Sequence, residues 1–221
     1  MTKHNKAQDG ALETSEGFLA KNGKALVIGV IAVLVIIGGY FAYQGLIAKP
    51  NEEKAHKAIA AGESYFKNGL YDIVINGDSI YFDGLVKVAE QYKGTKAGNL
   101  SNYYIGVSYQ KLGQYENAIQ YLEKFSVKDE MVYPASLIAL GNCYANTDQL
   151  AKAVSTLKKA ASIANNNSLS PIALRQAGII LEKEGKYKEA LELYTEIKVD
   201  YFRSAIAGDI DKYIERAKAQ I

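Results

Sequence analysis

The stretch YYIGVSYQKLGQYENAIQYL, residues 103–122, decides the fold. Ile105, Tyr109 and Leu112 step by four and three, the spacing that places side chains on one helical face. Gly113 then predicts a left-handed helix stop. Ala118, Leu122 and Phe125 repeat the four-three step on a second helix. Small residues at Gly106 and Ala118 leave room for two backbones to pass closely. The stretch predicts a helix hairpin.

The hairpin recurs as IALGNCYANTDQLAKAVSTL at 138–157 and RQAGIILEKEGKYKEALELY at 175–194. Gly106, Gly141 and Gly178 align, 35 and 37 residues apart, with Tyr109, Tyr144 and Leu181 three positions later. Ala118, Ala153 and Ala190 each follow the glycine by twelve. A weaker copy, AAGESYFKNGLYDIVI, places Gly62, Tyr65, Gly69 and Tyr71 in the same register. This pattern resembles the tetratricopeptide repeat, a helix-turn-helix unit of about 34 residues with Leu-Gly, Tyr, Gly-x-Tyr, Ala and Phe at these offsets. The resemblance covers about residues 55–200. Two departures stand out: the chain has no Trp, and the copy at 138–157 has Asp148 and Leu150 where the turn glycine and tyrosine belong.

The fold expected is therefore all-α. An N-terminal transmembrane helix precedes a right-handed α-solenoid of about four tetratricopeptide-like helix pairs and a C-terminal capping helix. In such an array each pair covers its apolar face with the next. The repeats fall at about 55–92, 99–132, 134–168 and 171–200 within a domain of residues 49–221. The segment 205–219 is the expected cap, with Ile206, Ile210 and Tyr213 on one face. The first repeat is interrupted: DIVINGDSIY, 72–81, contains the turn signal Asn76-Gly77. FDGLVKVAEQY, 82–92, then supplies a delayed second helix. The inserted segment is expected to be a surface loop tucked against the array; the alternative is a partner-contact loop anchored by Ile80, Tyr81 and Phe82.

Ahead of the repeats, a polar tail (1–24) leads into ALVIGVIAVLVIIGGYFAYQGLIA, residues 25–48, which has no charge between Lys24 and Lys49. As a helix its 24 residues span about 36 Å, enough to cross a hydrocarbon core of roughly 30 Å. It exceeds the apolar core of a cleaved signal, and Leu46 stands where a cleavage site wants a small residue. Tyr40, Phe41 and Tyr43 suit an interfacial belt. The span reads as an uncleaved membrane anchor. Lysines flank both ends, so charge alone leans only slightly to an inside N-terminus, through Lys21 and Lys24.

Residues 50–221 carry 21 Lys or Arg and 21 Asp or Glu, a balance without the footprint of a nucleic-acid binder. The lone Cys143 excludes an internal disulfide framework. His4 and His56 are far apart, and neither lies near Cys143 in sequence, so no zinc spacing exists. No phosphate-binding glycine loop or Ser-His-Asp set is present. The run KEGKYKEALE, 183–192, reads as a solvated helix face. No catalytic residue, metal, cofactor or small-molecule substrate is expected, and Cys143 reads as a small packing residue.

The resemblance implies where partners bind. In tetratricopeptide arrays the inner helix presents its second, fifth, ninth, twelfth and thirteenth positions to a concave groove. Carried over, these give Ile59 and Phe66 in the first copy and Tyr103, Val107, Gln110 and Lys111 in the second. The third gives Ile138, Asn142 and Asn146, and the fourth gives Arg175, Ile179, Glu182 and Lys183. Members that clamp a terminal carboxylate need lysine where Ile138 stands, so an apolar groove for an extended or helical peptide fits better.

One anchor followed by a neutral repeat domain, with EKAHKAIAAGESYFKNGLY just after the span, is similar to the YfgM-type ancillary subunits of the bacterial Sec translocon. That resemblance implies an inner-membrane, single-pass protein with a periplasmic repeat domain that contacts chaperones, extended chains or membrane-complex subunits. A structural assembly subunit of an envelope complex is the alternative.

Overall fold

The computed structural model describes residues 3–78 and 80–221, with side chains from Lys21 onward. His4 and most of the polar tail lie outside the described side chains. Met1–Pro50 and Asn51–Ile221 form two separate units. In the first, helix α1 runs Lys3–Tyr43 and is followed by a π-helical turn, Gln44–Ala48. Every residue from Lys24 to Tyr43 is exposed. Among the described residues one helix, starting at Lys21, is long and apolar enough to cross a membrane. A bare stripe of Leu, Ile and Val is unfavourable in water and at home in hydrocarbon. Tyr40 and Phe41 meet edge-on at 5.8 Å, and Gln44 Nε2 donates to the Tyr40 hydroxyl at 3.1 Å.

The second unit is an α-solenoid. Its helices are α2 (Lys49–Lys67), α3 (Tyr71–Asn76), α4 (Leu85–Gln91), α5 (Lys96–Lys111) and α6 (Tyr115–Lys124). They continue with α7 (Val132–Asn146), α8 (Leu150–Ala164), α9 (Ser170–Lys183), α10 (Tyr187–Asp200) and α11 (Ile210–Lys218). No strand occurs among the described residues. α5/α6, α7/α8 and α9/α10 are the repeat hairpins and α11 packs on α10, while α2 shares its core with the broken helix α3–α4 through Ile59, Val74 and Leu85.

One contact explains the repeating glycine. A Cβ on Gly106 would lie 2.6 Å from Leu122 Cγ, on Gly141 2.7 Å from Leu157 Cγ, and on Gly178 2.4 Å from Tyr194 Cε1. Gly62 meets Leu85 in the same way. Each hairpin closes by pressing a large side chain of its second helix onto the bare backbone of its first. The turns repeat as well. Gln114 N–H returns to the Tyr109 carbonyl (2.9 Å), Gln149 to Tyr144 (2.8 Å) and Lys186 to Leu181 (2.9 Å), the Schellman closure of a helix end. That closure needs a left-handed residue; Gly113 (φ +74) and Gly185 (φ +72) supply it, and Asp148 adopts the same conformation (φ 61). The non-glycine copy therefore keeps the turn.

Three local expectations are corrected. Leu112 caps α5 rather than sharing the face of Ile105 and Tyr109, because the chain swings out at Gly113; it is exposed. The C-terminal cap is shorter than 205–219: Ala207–Asp209 is a 3₁₀ turn, and Ile210, Ile214 and Ala217 form the buried stripe, with Ile206 only half-buried. Phe82 is buried and stacks on Tyr65 with ring centroids 5.6 Å apart, so only Ile80 and Tyr81 project from the inserted loop.

That loop is closed tightly. Gly77 (φ +88) and Gly84 (φ +85) lie backbone to backbone, each where a Cβ would strike the other's chain segment. Between them Asp78 Oδ1 accepts the N–H groups of Ile80 (3.0 Å), Tyr81 (2.7 Å) and Phe82 (2.9 Å), while Oδ2 accepts the Tyr65 hydroxyl at 2.7 Å. These bonds favour the ionised carboxyl and hold Asp78 well below the usual carboxylate range, the Tyr65 bond most strongly.

Candidate functional site

The first helices of successive repeats, α2, α5, α7 and α9, together with α11, meet along one side of the array. Polar bonds stitch their seams. The Tyr104 hydroxyl donates to Glu63 at 3.1 Å (α5 to α2), Gln110 Nε2 to the Ala139 carbonyl at 3.2 Å (α5 to α7), and Arg216 Nε to Glu182 at 3.1 Å (α11 to α9). A second Arg216 nitrogen also bonds the Glu182 carboxylate, making the pair bidentate. This inner face is where the repeat register places the groove residues.

The structure divides them. Ile59, Val107 and Ile138 are buried in the core, at 2%, 8% and 8% exposure, and present no open surface to a partner. Phe66, Tyr103, Gln110, Asn142 and Arg175 are half-buried, and Lys111, Asn146, Ile179 and Lys183 are exposed. Asn146 turns back, donating from Nδ2 to the Asn142 carbonyl at 2.8 Å. Glu182 is spoken for by Arg216. Ile179, Glu182 and Lys183 do come together: with Tyr187, Arg216 and Gln220 they line an open recess of about 360 Å³ between α9 and α11.

At the other end the rings form a chain. Tyr71 meets Phe66 (centroids 5.6 Å), Phe66 meets Tyr104 (5.1 Å), Tyr104 meets Tyr103 (5.4 Å), Tyr103 meets Phe125 (5.7 Å), and Phe125 meets Tyr133 (6.4 Å). The first three contacts are edge-on, the arrangement that the ring quadrupoles favour. Only Phe125 is fully buried; the other five are half-buried, each presenting an edge or hydroxyl. Burial, then Glu63, pushes the Tyr104 phenol up to about 12, and burial with Asp129 raises Tyr103. Both phenols therefore stay protonated donors at neutral pH.

The repeat register places Phe66 and Tyr103 on the groove but not Tyr71, Tyr104, Tyr133 or Arg216. Tyr71 and Tyr133 open their helices, Tyr104 lies in the middle of α5 and Arg216 in the last turn of α11; what joins them to the face is contact between helices. Cys143 is fully buried, and burial pushes its thiol up to about 12, which removes the thiolate a nucleophile needs. Among the described residues no group of three or more His, Cys, Asp or Glu could hold a metal ion.

Two crystal structures share this architecture. They show TPR-like repeats of a candidate kinesin light chain from Podosopora anserina, one in a single-residue variant. The fold is that of the tetratricopeptide-like repeat. The variant superposes with a TM-score of 0.58 at 16% identity, over 76% of this chain and 87% of the other. The second gives 0.57 at 17% identity over the same shares. At these identities the likeness is one of fold. The structure of MamA matches at a TM-score of 0.48 and 19% identity, over 72% of this chain and 93% of that one. Residues 106–205, less than half the chain, match the model of the Suppressor of spindle checkpoint defect 1 C-terminal domain. No curated protein sequence matches the chain.

Proposed function

We propose that this chain is a membrane-anchored adaptor that holds an extended segment of a protein partner against the inner face of its repeat unit. The observation that carries this reading is the chain of rings from Tyr71 to Tyr133. Five half-buried aromatics crossing three repeats form a surface of rigid amphipathic rings, the side-chain type that most often anchors a bound peptide. The recess around Ile179 extends that surface toward the C-terminus.

The exposed apolar helix supports anchoring. With Lys21 and Lys24 at its start, and the architectural similarity to YfgM-type subunits, it supports a bacterial inner-membrane protein whose repeats face the periplasm. In that place the partners are chaperones, newly exported chains or translocon subunits.

A photo-crosslinking residue placed at Tyr103, and separately at Lys188 on the exposed side of α10, tests the face in native membranes. Adducts are expected at position 103 and not at 188. Equal labelling at both, or none at 103 with labelling at 188, rejects the inner face. A reporter active only outside the cytoplasm, fused after Ile221, is expected to be active; a stable, inactive fusion rejects the orientation.

A further inference from the structure

On the inner face the carboxylates are spent within the chain and the cations are not. Glu63 accepts the Tyr104 hydroxyl, Glu182 is clasped by Arg216, and Asp129, whose charge reaches Tyr103, accepts the backbone N–H groups of Met131 and Val132. Lys67, Lys111 and Lys183 stand in one register, each five residues after its repeat glycine, Gly62, Gly106 or Gly178. All three are exposed, and none enters an ion pair among the described residues. Half-buried Arg175 is equally without one, and Asn146 fills the register position left over. Residues 50–221 balance 21 basic against 21 acidic residues, so this local excess is not the unit's average. Lys183 lines the recess with Ile179, so in this repeat the register position opens onto it.

We infer that the segment held on the inner face is acidic, with apolar side chains between its carboxylates; the inference rests on the inner-face reading above. Spacing sharpens it. Packed helices lie about 8–10 Å apart, and an extended chain rises about 3.3 Å per residue, so one repeat step matches about three residues. Carboxylates three residues apart therefore meet Lys67 and Lys111, and one six residues beyond meets Lys183, past Asn146, while aromatic or aliphatic residues between them reach the rings of Tyr103 and Tyr104 and the recess at Ile179. A basic segment is disfavoured on the same ground: it would face four unpaired cations and find Glu63, Glu182 and Asp129 already bonded within the chain. Each exposed pair contributes only a few-fold, so the lysines together give a preference on the order of tenfold.

The test uses the full chain in uncharged detergent micelles and two fluorescent peptides of about twelve residues, long enough to cross four repeats at this spacing. Both have the same Tyr and Leu positions; one carries Glu at every third residue, the other Lys. Anisotropy should show the Glu peptide binding on the order of tenfold tighter at about 0.01 M salt. The gap should close by about 1 M salt, where the screening length falls from about 30 Å to 3 Å. The triple variant Lys67→Gln, Lys111→Gln, Lys183→Gln should lose the gap at unchanged helicity while keeping weak capture of both peptides. Equal affinities, a preference for Lys, no binding of either peptide, or a gap that survives the triple variant overturns the inference. Charge-blind capture that Tyr103→Ala weakens removes the acidic preference but leaves the inner-face reading. Capture that neither Tyr103→Ala nor the triple variant alters removes both.

Discussion

Replacing Gly178 with alanine tests the contact that closes the last hairpin. The added Cβ would lie 2.4 Å from Tyr194 Cε1, 2.7 Å from Cζ and 3.0 Å from the hydroxyl oxygen. The ring cannot swing away freely, because Tyr194 is fully buried and packs against Tyr213 at 5.4 Å. Overpacking of this kind costs about 1–3 kcal/mol. Alanine recovers about 1 kcal/mol of that through its better helix propensity. A 2.4 Å approach to a fully buried ring belongs in the upper part of the overpacking range, about 2–3 kcal/mol. The net expected loss is therefore about 1–2 kcal/mol, a fall of roughly 2–8 °C in Tm for a unit of this size. Gly208→Ala is the control: a Cβ there meets nothing within 4 Å, so it should be neutral or slightly stabilising. Circular dichroism melts of residues 51–221 would read both variants. A Gly178→Ala unit as stable as the parent would refute the reasoning, since it would show that the two helices have slack at their crossing. A double variant with Tyr194→Ala should show non-additive costs, because removing the ring removes the clash.

Two further outcomes follow from the buried and hydrogen-bonded groups. Asp78 is held below its ordinary value of 3.8, so its stabilisation of the inserted loop is fully present above that pH and is lost as pH falls through its lowered native value; amide exchange at Ile80–Phe82 should stay slow down to pH 3.8 and become fast at neutral pH in Asp78→Ala. Cys143 should resist thiol-labelling reagents in the native protein and react only on unfolding, because its buried thiol is raised from 9.0 to about 12; rapid native labelling at neutral pH would contradict its placement.

The hairpins were legible because their requirements are local. A glycine three residues before a tyrosine, a turn residue able to go left-handed, and an alanine twelve positions on each describe one helix pair in contact with itself. The match survived even at Asp148, since Asp reaches the left-handed conformation that the Schellman closure needs. The accessible site was less legible. Ile138 and Tyr103 occupy the same repeat position, yet one is core and the other a groove ring, because side-chain size and the neighbouring repeat decide which positions are covered. Phe82 shows the same limit: the sequence leaves it either tucked with its loop or open to a partner, and the ring of Tyr65 beside the Asp78 clamp draws it inward.

The amino-acid sequence by itself determined the helical repeat, its register and an apolar segment long enough to cross a bilayer, since each follows from periodicity, composition and chain length. Tertiary structure alone decided which of those positions remain open. The chain of rings from Tyr71 to Tyr133 joins residues 62 apart in the chain. The clasp of Arg216 on Glu182 spans 34 positions. Contacts at such separations depend on how one helix pair stacks on the next, and no spacing within a single repeat encodes that angle.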